Sequence, residues 1–271
     1  GREDSTFAYR YYKEHYWDPI NFTDERLLRT PILEMRLMKY FSQLVYPVAD
    51  SVNMEADKIL ARARPDKEVF KFVLWWITHT YETSPYMGMD AVFVHLVEKY
   101  YIPGDAWWLT KEQSDKIIKR AYEIAPNLIG QKAPDLSLKD ANMQPVSLYG
   151  TRGRYTLLVF WDPTCGHCQK ELPVLDSIYE KNWKSKDVKV FSVMTGGTKE
   201  EWLKFIKDNH LEDWVNAWDP DEQSNYHRLY DVYSTPLVYI LSENKKILAK
   251  RLDPHQVDDF LEHSLKKNKP D

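Results

Sequence analysis

The chain contains 271 residues, with 37 Lys and Arg against 41 Asp and Glu, which gives a net charge of −4 at pH 7. This length fits two domains of ordinary size, and the interspersed acidic and basic residues exclude the positive surface of a nucleic-acid-binding protein. The most hydrophobic segments, 70–77 and 155–161, are too short to span a bilayer, so no transmembrane segment is predicted.

The first residue bears on the cellular location. The sequence starts at Gly1 without a Met, and we expect that a signal peptide or lipoprotein leader preceded it and was removed. Contact with a membrane is expected only if a lipid anchor preceded Gly1.

Residues 7–125 carry the pattern of amphipathic helices. Thr30 and Pro31 mark a helix start with proline at the first helical position, and Asp66 precedes another apolar helical pattern. Thr110 and Gln113 form a capping box before a further helix. The sequence therefore predicts an all-α domain over residues 1–128.

A change of pattern follows this helical part. Pro126, Gly130 and Pro134 interrupt the helical period, and strands then alternate with helices. Strands are predicted near Leu136 and at 146–149, 155–161, 188–194, 237–241 and 247–250, with helices after Cys165, Thr198 and Asp253. Residues 129–271 are therefore predicted to form an α/β domain with a mixed central sheet flanked by helices, and the segment 219–222 is predicted to be a solvated loop.

The two cysteines of the chain lie together in the motif Cys165-Gly166-His167-Cys168, directly after an apolar strand. At a strand-to-helix turn, the unsatisfied amides of the helix start favour the thiolate of Cys165, which makes it the expected nucleophile. Cys168 lies one turn later on the same face and can attack a mixed disulfide on Cys165. The pattern therefore predicts dithiol chemistry. The lack of other cysteines fits an oxidising compartment.

Zinc and haem sites are the alternatives for the same motif. A closed zinc site needs four ligands, and the chain has no second cysteine pair. Gln169 follows Cys168, so the haem-attachment pattern, which requires histidine there, is not met. We predict no metal, and no cofactor besides the redox-active Cys165–Cys168 disulfide.

Three segments of the second half resemble a known family. They are 130–134 (GQKAP), 160–168 (FWDPTCGHC) and 234–236 (STP). Together they resemble the thioredoxin fold, specifically the TlpA/ResA-like thiol-disulfide oxidoreductases of the cell envelope, over roughly residues 130–267. Peroxiredoxins share the first segment, but neither cysteine here fits their P-x-x-x-T-x-x-C pattern. The first half more weakly resembles helical domains of unknown function that precede such modules.

The resemblance implies roles for individual residues. Pro236 is expected to be cis and to face the thiols, with Thr235 supplying backbone that pairs with an extended substrate. Trp161 and Thr164 are expected to complete the substrate-binding surface, although Thr164 replaces the Trp usual in the family. Pro173 matches a helix-kinking proline.

One departure from thioredoxin concerns proton transfer. Val159 occupies the position of thioredoxin's buried carboxylate, and Glu171 matches a glutamate of ResA-like proteins, so Glu171 is expected to assist deprotonation of Cys168. Gly166 and His167 between the cysteines match those of disulfide isomerases, and His167 is expected to stabilise the Cys165 thiolate. Whether the pair acts as oxidant, reductant or isomerase stays open.

The sequence thus predicts a periplasmic or envelope-anchored thiol-disulfide oxidoreductase, with protein thiols or disulfides and an upstream redox partner as its partners. The alternatives are a degenerate, structural thioredoxin fold and a binding protein whose helical domain engages a peptide or envelope component.

Overall fold

The computed structural model describes residues 6–267. The expectation about Gly1 and its leader therefore lies outside the described residues. The chain divides into two compact units, residues 1–121 and residues 122–271. None of the described helices combines the length and the apolar composition needed to cross a bilayer.

The first unit is helical, as its apolar periodicity predicts. Its helices are α1 (Phe7–Glu14), α2 (Ile32–Lys39), α3 (Ala49–Ala63), α4 (Lys67–Glu82) and α5 (Asp90–Leu96), and α6 (Lys111–Ile124) ends just beyond it. Helix α4 begins where Asp66 Oδ1 accepts a hydrogen bond of 3.0 Å from the Val69 amide. Ile59, Val73 and Phe93, from α3, α4 and α5, are almost completely buried and form part of the core.

The second unit is built on one seven-stranded sheet. The strands are β1 (Ser137–Lys139), β2 (Pro145–Ser147), β3 (Tyr155–Trp161), β4 (Val188–Met194), β5 (Val215–Trp218), β6 (Leu237–Ser242) and β7 (Ile247–Lys250). Their order is β2-β1-β5-β4-β3-β6-β7. Strand β3 is parallel to β4 and antiparallel to β6, and β4 is parallel to β5. The sheet is therefore mixed, and the predicted fold class is confirmed.

Helices α7 (Gly166–Ile178), α8 (Lys199–Asp208), α9 (Tyr226–Leu229) and α10 (Pro254–Lys267) complete this unit. Two apolar clusters, one containing Leu157, Val159 and Trp161 and the other Leu158 and Phe160, correspond to the two faces of β3. Every residue of β3 is buried, as its largely apolar sequence predicts. The cysteine motif follows a short turn after the end of this strand.

The segment 122–128 belongs to the second unit. Asn127 is completely buried, and its backbone and side-chain oxygens accept hydrogen bonds of 2.9 and 2.8 Å from Lys250 Nζ. Because Lys250 ends β7, these bonds fasten the segment to the sheet.

Candidate active site

A short turn places the cysteine motif between β3 and α7. Asp162 Oδ1 accepts hydrogen bonds of 2.7 Å from both the amide and the hydroxyl of Thr164. The Cys165 amide donates to the Asp162 carbonyl at 3.1 Å. Cys165 has extended backbone angles and is the N-cap residue of α7, which begins at Gly166. The turn therefore holds the first thiol at the start of a helix, where free amides face it.

The two thiols lie in different environments. Both are free; Cys165 is partly exposed, whereas Cys168 is completely buried. Burial favours the neutral form of Cys165, but hydrogen bonds from the Cys168 and His167 amides and contacts with Thr235 and the Cys168 thiol outweigh it and lower its pKa. Burial is the main cause that raises the pKa of Cys168 to about 12. At neutral pH the thiolate therefore forms at Cys165 in preference to Cys168.

The segment before β6 faces the first thiol. The Thr235–Pro236 peptide bond is cis, and β6 starts at the next residue, Leu237. Leu237 pairs with Phe160 at the end of β3, which brings this segment beside the cysteine turn. The Cys165 Sγ atom lies 3.4 Å from the Thr235 carbonyl oxygen. A backbone hydrogen-bonding edge thus lies next to the reactive sulfur.

The residues next to Cys165 are exposed. Gly166 and His167 are exposed, and a Cβ atom built on Gly166 would meet nothing within 4 Å. Among the groups that shift the pKa of Cys165, His167 contributes its backbone amide. Thr164 is exposed beside the thiols. These residues leave the approach to Cys165 open.

Trp161 requires a correction. Its side chain is completely buried and packs against Phe205, with 4.9 Å between ring centroids. It lies in the apolar core of the sheet because β3 is buried on both faces, so the prediction that Trp161 contacts substrate is wrong for this conformation. Its carbonyl accepts hydrogen bonds from the Thr195 amide and hydroxyl at 2.8 and 3.1 Å, which ties the strand end to the residue after β4.

Glu171 lies on α7, three residues after Cys168, and is partly buried. No hydrogen bond joins it to Cys168 within residues 6–267. Val159 is completely buried in the core, and Pro173 lies inside α7. A route for the proton of Cys168 through Glu171 therefore requires a water molecule or a side-chain movement.

Two glycines beside the site, Gly196 and Gly197, were not predicted from the sequence. A Cβ atom on Gly196 would lie 2.4 Å from Asp162 Oδ2, and one on Gly197 would lie 2.9 Å from Pro163 Cγ. Gly197 also has a positive φ of 79°. Two consecutive glycines one residue after a buried strand are a sequence signal for such close approach.

Groups of three or more His, Cys, Asp or Glu side chains arranged to hold a metal ion are absent from residues 6–267. Cys165 and Cys168 are both free thiols, one partly exposed and one buried, at the start of α7. Such a pair can support exchange between thiols and disulfides.

Comparison with known proteins finds separate matches for the two parts of the chain. Residues 129–250 match the AhpC/TSA family, and residues 3–125 match a domain of unknown function, DUF5106. The chain is similar to the thiol-disulfide oxidoreductase ResA of Bacillus thuringiensis subsp. konkukian (strain 97-27), with 26% identity over 142 residues, which cover 52% of this chain and 79% of that protein.

Two further similarities concern sequence and fold. The thioredoxin-like protein YneN of Bacillus subtilis (strain 168) is 30% identical over 115 residues, which cover 42% of this chain and 65% of that protein. A crystal structure of a thioredoxin-like protein from Bacteroides caccae ATCC 43185 has 22% identity and a TM-score of 0.73, and the match covers 96% of this chain and 93% of that one. The chain therefore carries a thioredoxin-like domain of the AhpC/TSA family, homologous to the ResA thiol-disulfide oxidoreductases, after a separate N-terminal DUF5106 domain.

Proposed function

We propose that this protein is a thiol-disulfide oxidoreductase that acts on protein disulfides or dithiols in the cell envelope. The observation that carries the proposal is the contrast between the two thiols. Cys165 is partly exposed with a lowered pKa, and Cys168 is buried with a pKa raised to about 12. This asymmetry suits one thiol to attack and the other to resolve.

In the reductive direction, the Cys165 thiolate attacks one sulfur of a substrate disulfide. The substrate S–S bond breaks, a mixed disulfide forms on Cys165, and the other substrate sulfur leaves as a thiolate that takes a proton. Cys168 then loses its proton and attacks the Cys165 sulfur, which releases the second substrate thiol. The substrate gains two electrons, and Cys165 and Cys168 become a disulfide. Oxidation of a dithiol runs through the same steps in reverse.

The surrounding residues have proposed parts in this cycle. The Thr235 carbonyl beside Cys165 and the cis Pro236 offer backbone for an extended substrate segment, and the exposed Thr164 lines its approach. The exposed imidazole of His167 favours the thiolate when protonated. Glu171 assists removal of the Cys168 proton, since catalytic hydrogen bonds are often completed only in the substrate complex.

The proposed location is the periplasm or the envelope, and the proposed partners are protein thiols or disulfides together with an upstream redox partner. The cysteine content supports this, because two cysteines in one reactive pair leave no spare thiol for unwanted pairing in an oxidising compartment.

The experiment is to mix the reduced full chain with an oxidised peptide disulfide and follow release of peptide thiol by mass spectrometry. The wild type should release two thiols per chain, and Cys165→Ser none. Cys168→Ser should stop at a stable mixed disulfide on Cys165. Undiminished turnover by Cys165→Ser would overturn the proposal and leave a non-catalytic thioredoxin fold as the better description.

A further inference from the structure

A cavity of about 460 Å³ opens beside the cysteine turn, at the ends of β4 and β5. Gly196 and Gly197 form the wall next to the turn, and Trp218, which ends β5, forms another part of the lining. The remaining walls include Asp219, Glu222 and Tyr226. Nothing in the proposed exchange reaction uses this cavity.

The cavity is continuous with the reactive end of the sheet. Gly196 and Gly197 lie so close to Asp162 and Pro163 that a Cβ atom on either would meet those side chains at 2.4 and 2.9 Å. Asp162 in turn accepts the hydrogen bond from the Cys165 amide. The glycine wall of the cavity therefore packs against the turn that carries Cys165, which places the cavity beside the residues that neighbour a substrate cysteine bound there.

Two carboxylates, those of Asp219 and Glu222, line the cavity, and the ammonium groups of Lys199 and Lys139 lie near Trp218 and Asp219. Burial is the main cause that raises the pKa of Tyr226 to about 12, and the nearby charges of Asp219, Glu222 and Asp162 add to it. Asp219 is ionised at neutral pH because hydrogen bonds from Ser224 and Gln223 outweigh its partial burial and lower its pKa. Three carboxylates thus act on one wall of the cavity.

The ring of Trp218 forms an aromatic part of the cavity wall. The Lys199 ammonium lies 5.7 Å from the centroid of this ring, so the ring can pack against the apolar stem of an incoming side chain while the cationic head pairs with the carboxylates of the rim. A long side chain with an apolar stem and a cationic head matches a cavity with an aromatic wall and acidic rim.

We propose that this cavity receives a lysine or arginine side chain next to the reactive cysteine of the partner protein. The inference rests on the proposed function, because the partner segment is brought to the cavity by its disulfide bond with Cys165. The cavity then selects partners by charge, favouring basic segments and repelling acidic ones.

The test uses three oxidised peptide dimers, acetyl-Lys-Cys-Lys-amide and its counterparts with Gln or Glu in place of Lys. Their second-order rates with the reduced full chain are measured at neutral pH, each divided by its rate with dithiothreitol to remove differences in intrinsic reactivity. We expect the Lys peptide to react about tenfold faster than the Glu peptide at low salt, with a smaller ratio at high salt.

Glu222 is the residue to change, since it is exposed and makes no structural hydrogen bond through its side chain in the described part of the chain. Glu222→Gln should reduce the Lys-to-Glu rate ratio, and Glu222→Lys should reduce it to about twofold or less. Glu212→Lys is the matched control: it makes the same charge change at an exposed residue outside the cavity, in the turn before β5, and should leave the ratio unchanged.

The outcomes separate the two proposals. If none of the peptides oxidises the reduced pair, the proposed function fails. If all three react at similar normalised rates, or if Glu212→Lys lowers the ratio as much as Glu222→Lys, exchange stands but the cavity does not select charge, and the inference is overturned. Circular dichroism of each variant confirms that the fold is retained.

Discussion

At the scale of single residues, the two cysteines differ because of where the backbone places them. Cys165 precedes the first turn of α7 and lies against the Thr235 carbonyl, whereas Cys168 points into the core. The sequence predicts which thiol attacks, since the motif follows a strand and opens a helix. It does not reveal the burial of Trp161, because a tryptophan at a strand end can face either the core or a substrate.

Glu171→Gln tests the proposed proton route. We expect the variant to form the mixed disulfide on Cys165 at the wild-type rate but to resolve it about tenfold more slowly, because the buried Cys168 thiol loses its base. Rapid quenching with acid at pH 6 to 9 measures both steps. An identical pH profile for resolution in the variant and the wild type would remove Glu171 from the mechanism.

Asp176 is a buried carboxyl on α7 outside the proposed chemistry. Burial, followed by the charge of Glu180, raises its pKa to about 6, and its Oδ1 atom has no hydrogen-bond partner in the described part of the chain. Because the folded protein favours the protonated carboxyl, protonation of Asp176 stabilises the fold. This contribution is complete below the ordinary carboxyl pKa near 3.9 and is lost as the pH rises through 6.

Asp176→Asn should therefore gain stability relative to the wild type between pH 4 and pH 7.5. The free energy of unfolding of the variant minus that of the wild type should rise by about 2 kcal/mol from pH 4 to pH 7.5, because the amide carries no charge to bury. Urea denaturation at both pH values measures it, and Asp208→Asn, at an exposed position, is the control. A difference independent of pH would contradict the raised pKa.

At the scale of elements, the long periodic segments were predictable and the short ones were not. The apolar runs of β3 and β4 and the caps of α4 and α8 are visible in the sequence. Strand β5 was missed because four residues including Asn216 carry little signal. Its place between β4 and β1 comes from the assembled sheet. The four-residue helix α9 was missed for the same reason.

The capping box of α8 provides a test at this scale. Thr198 Oγ1 accepts from the Glu201 amide at 3.2 Å, and Glu201 Oε2 accepts from the Thr198 amide at 2.8 Å. Thr198→Ala should lower the free energy of unfolding by about 1 kcal/mol, whereas Thr198→Ser, which keeps the hydroxyl, should lose much less. Equal losses in urea denaturation would show that the cap hydrogen bond contributes nothing.

At the scale of the whole molecule, the sequence predicts a helical part and an α/β part but not the residue at which one compact unit ends. The change of composition near residue 128 follows the prolines and Gly130. Asn127 bonds to Lys250, a partner 123 positions away that no local pattern indicates, so the attachment of this segment to the sheet could not be predicted. The cavity beside the cysteine turn was unpredictable for the same reason, since its walls come from separate segments.

Asn127→Ala tests how much the hydrogen bonds between Asn127 and Lys250 contribute to stability. The change removes one of the oxygens that accept from the buried Lys250 ammonium, and we expect a loss of about 2 kcal/mol in the free energy of unfolding. Asn127→Asp keeps the acceptor for Lys250 but loses the Nδ2 donor that bonds to the Glu123 and Leu229 carbonyls at 3.0 and 3.4 Å, so a smaller loss than that of Asn127→Ala would assign the difference to the Lys250 bond. A loss below about 0.5 kcal/mol for Asn127→Ala would show that the segment is held by other contacts.

The central claim is that Cys165 alone is the reactive thiol of the reduced chain. Alkylation of the reduced protein with iodoacetamide from pH 5 to pH 10, followed by peptide mapping, tests it directly. The structure predicts modification at Cys165 with an apparent pKa below the ordinary thiol value of about 8.5, while Cys168 stays unmodified across this range. Equal labelling of both cysteines, or labelling of Cys168 first, would contradict the account.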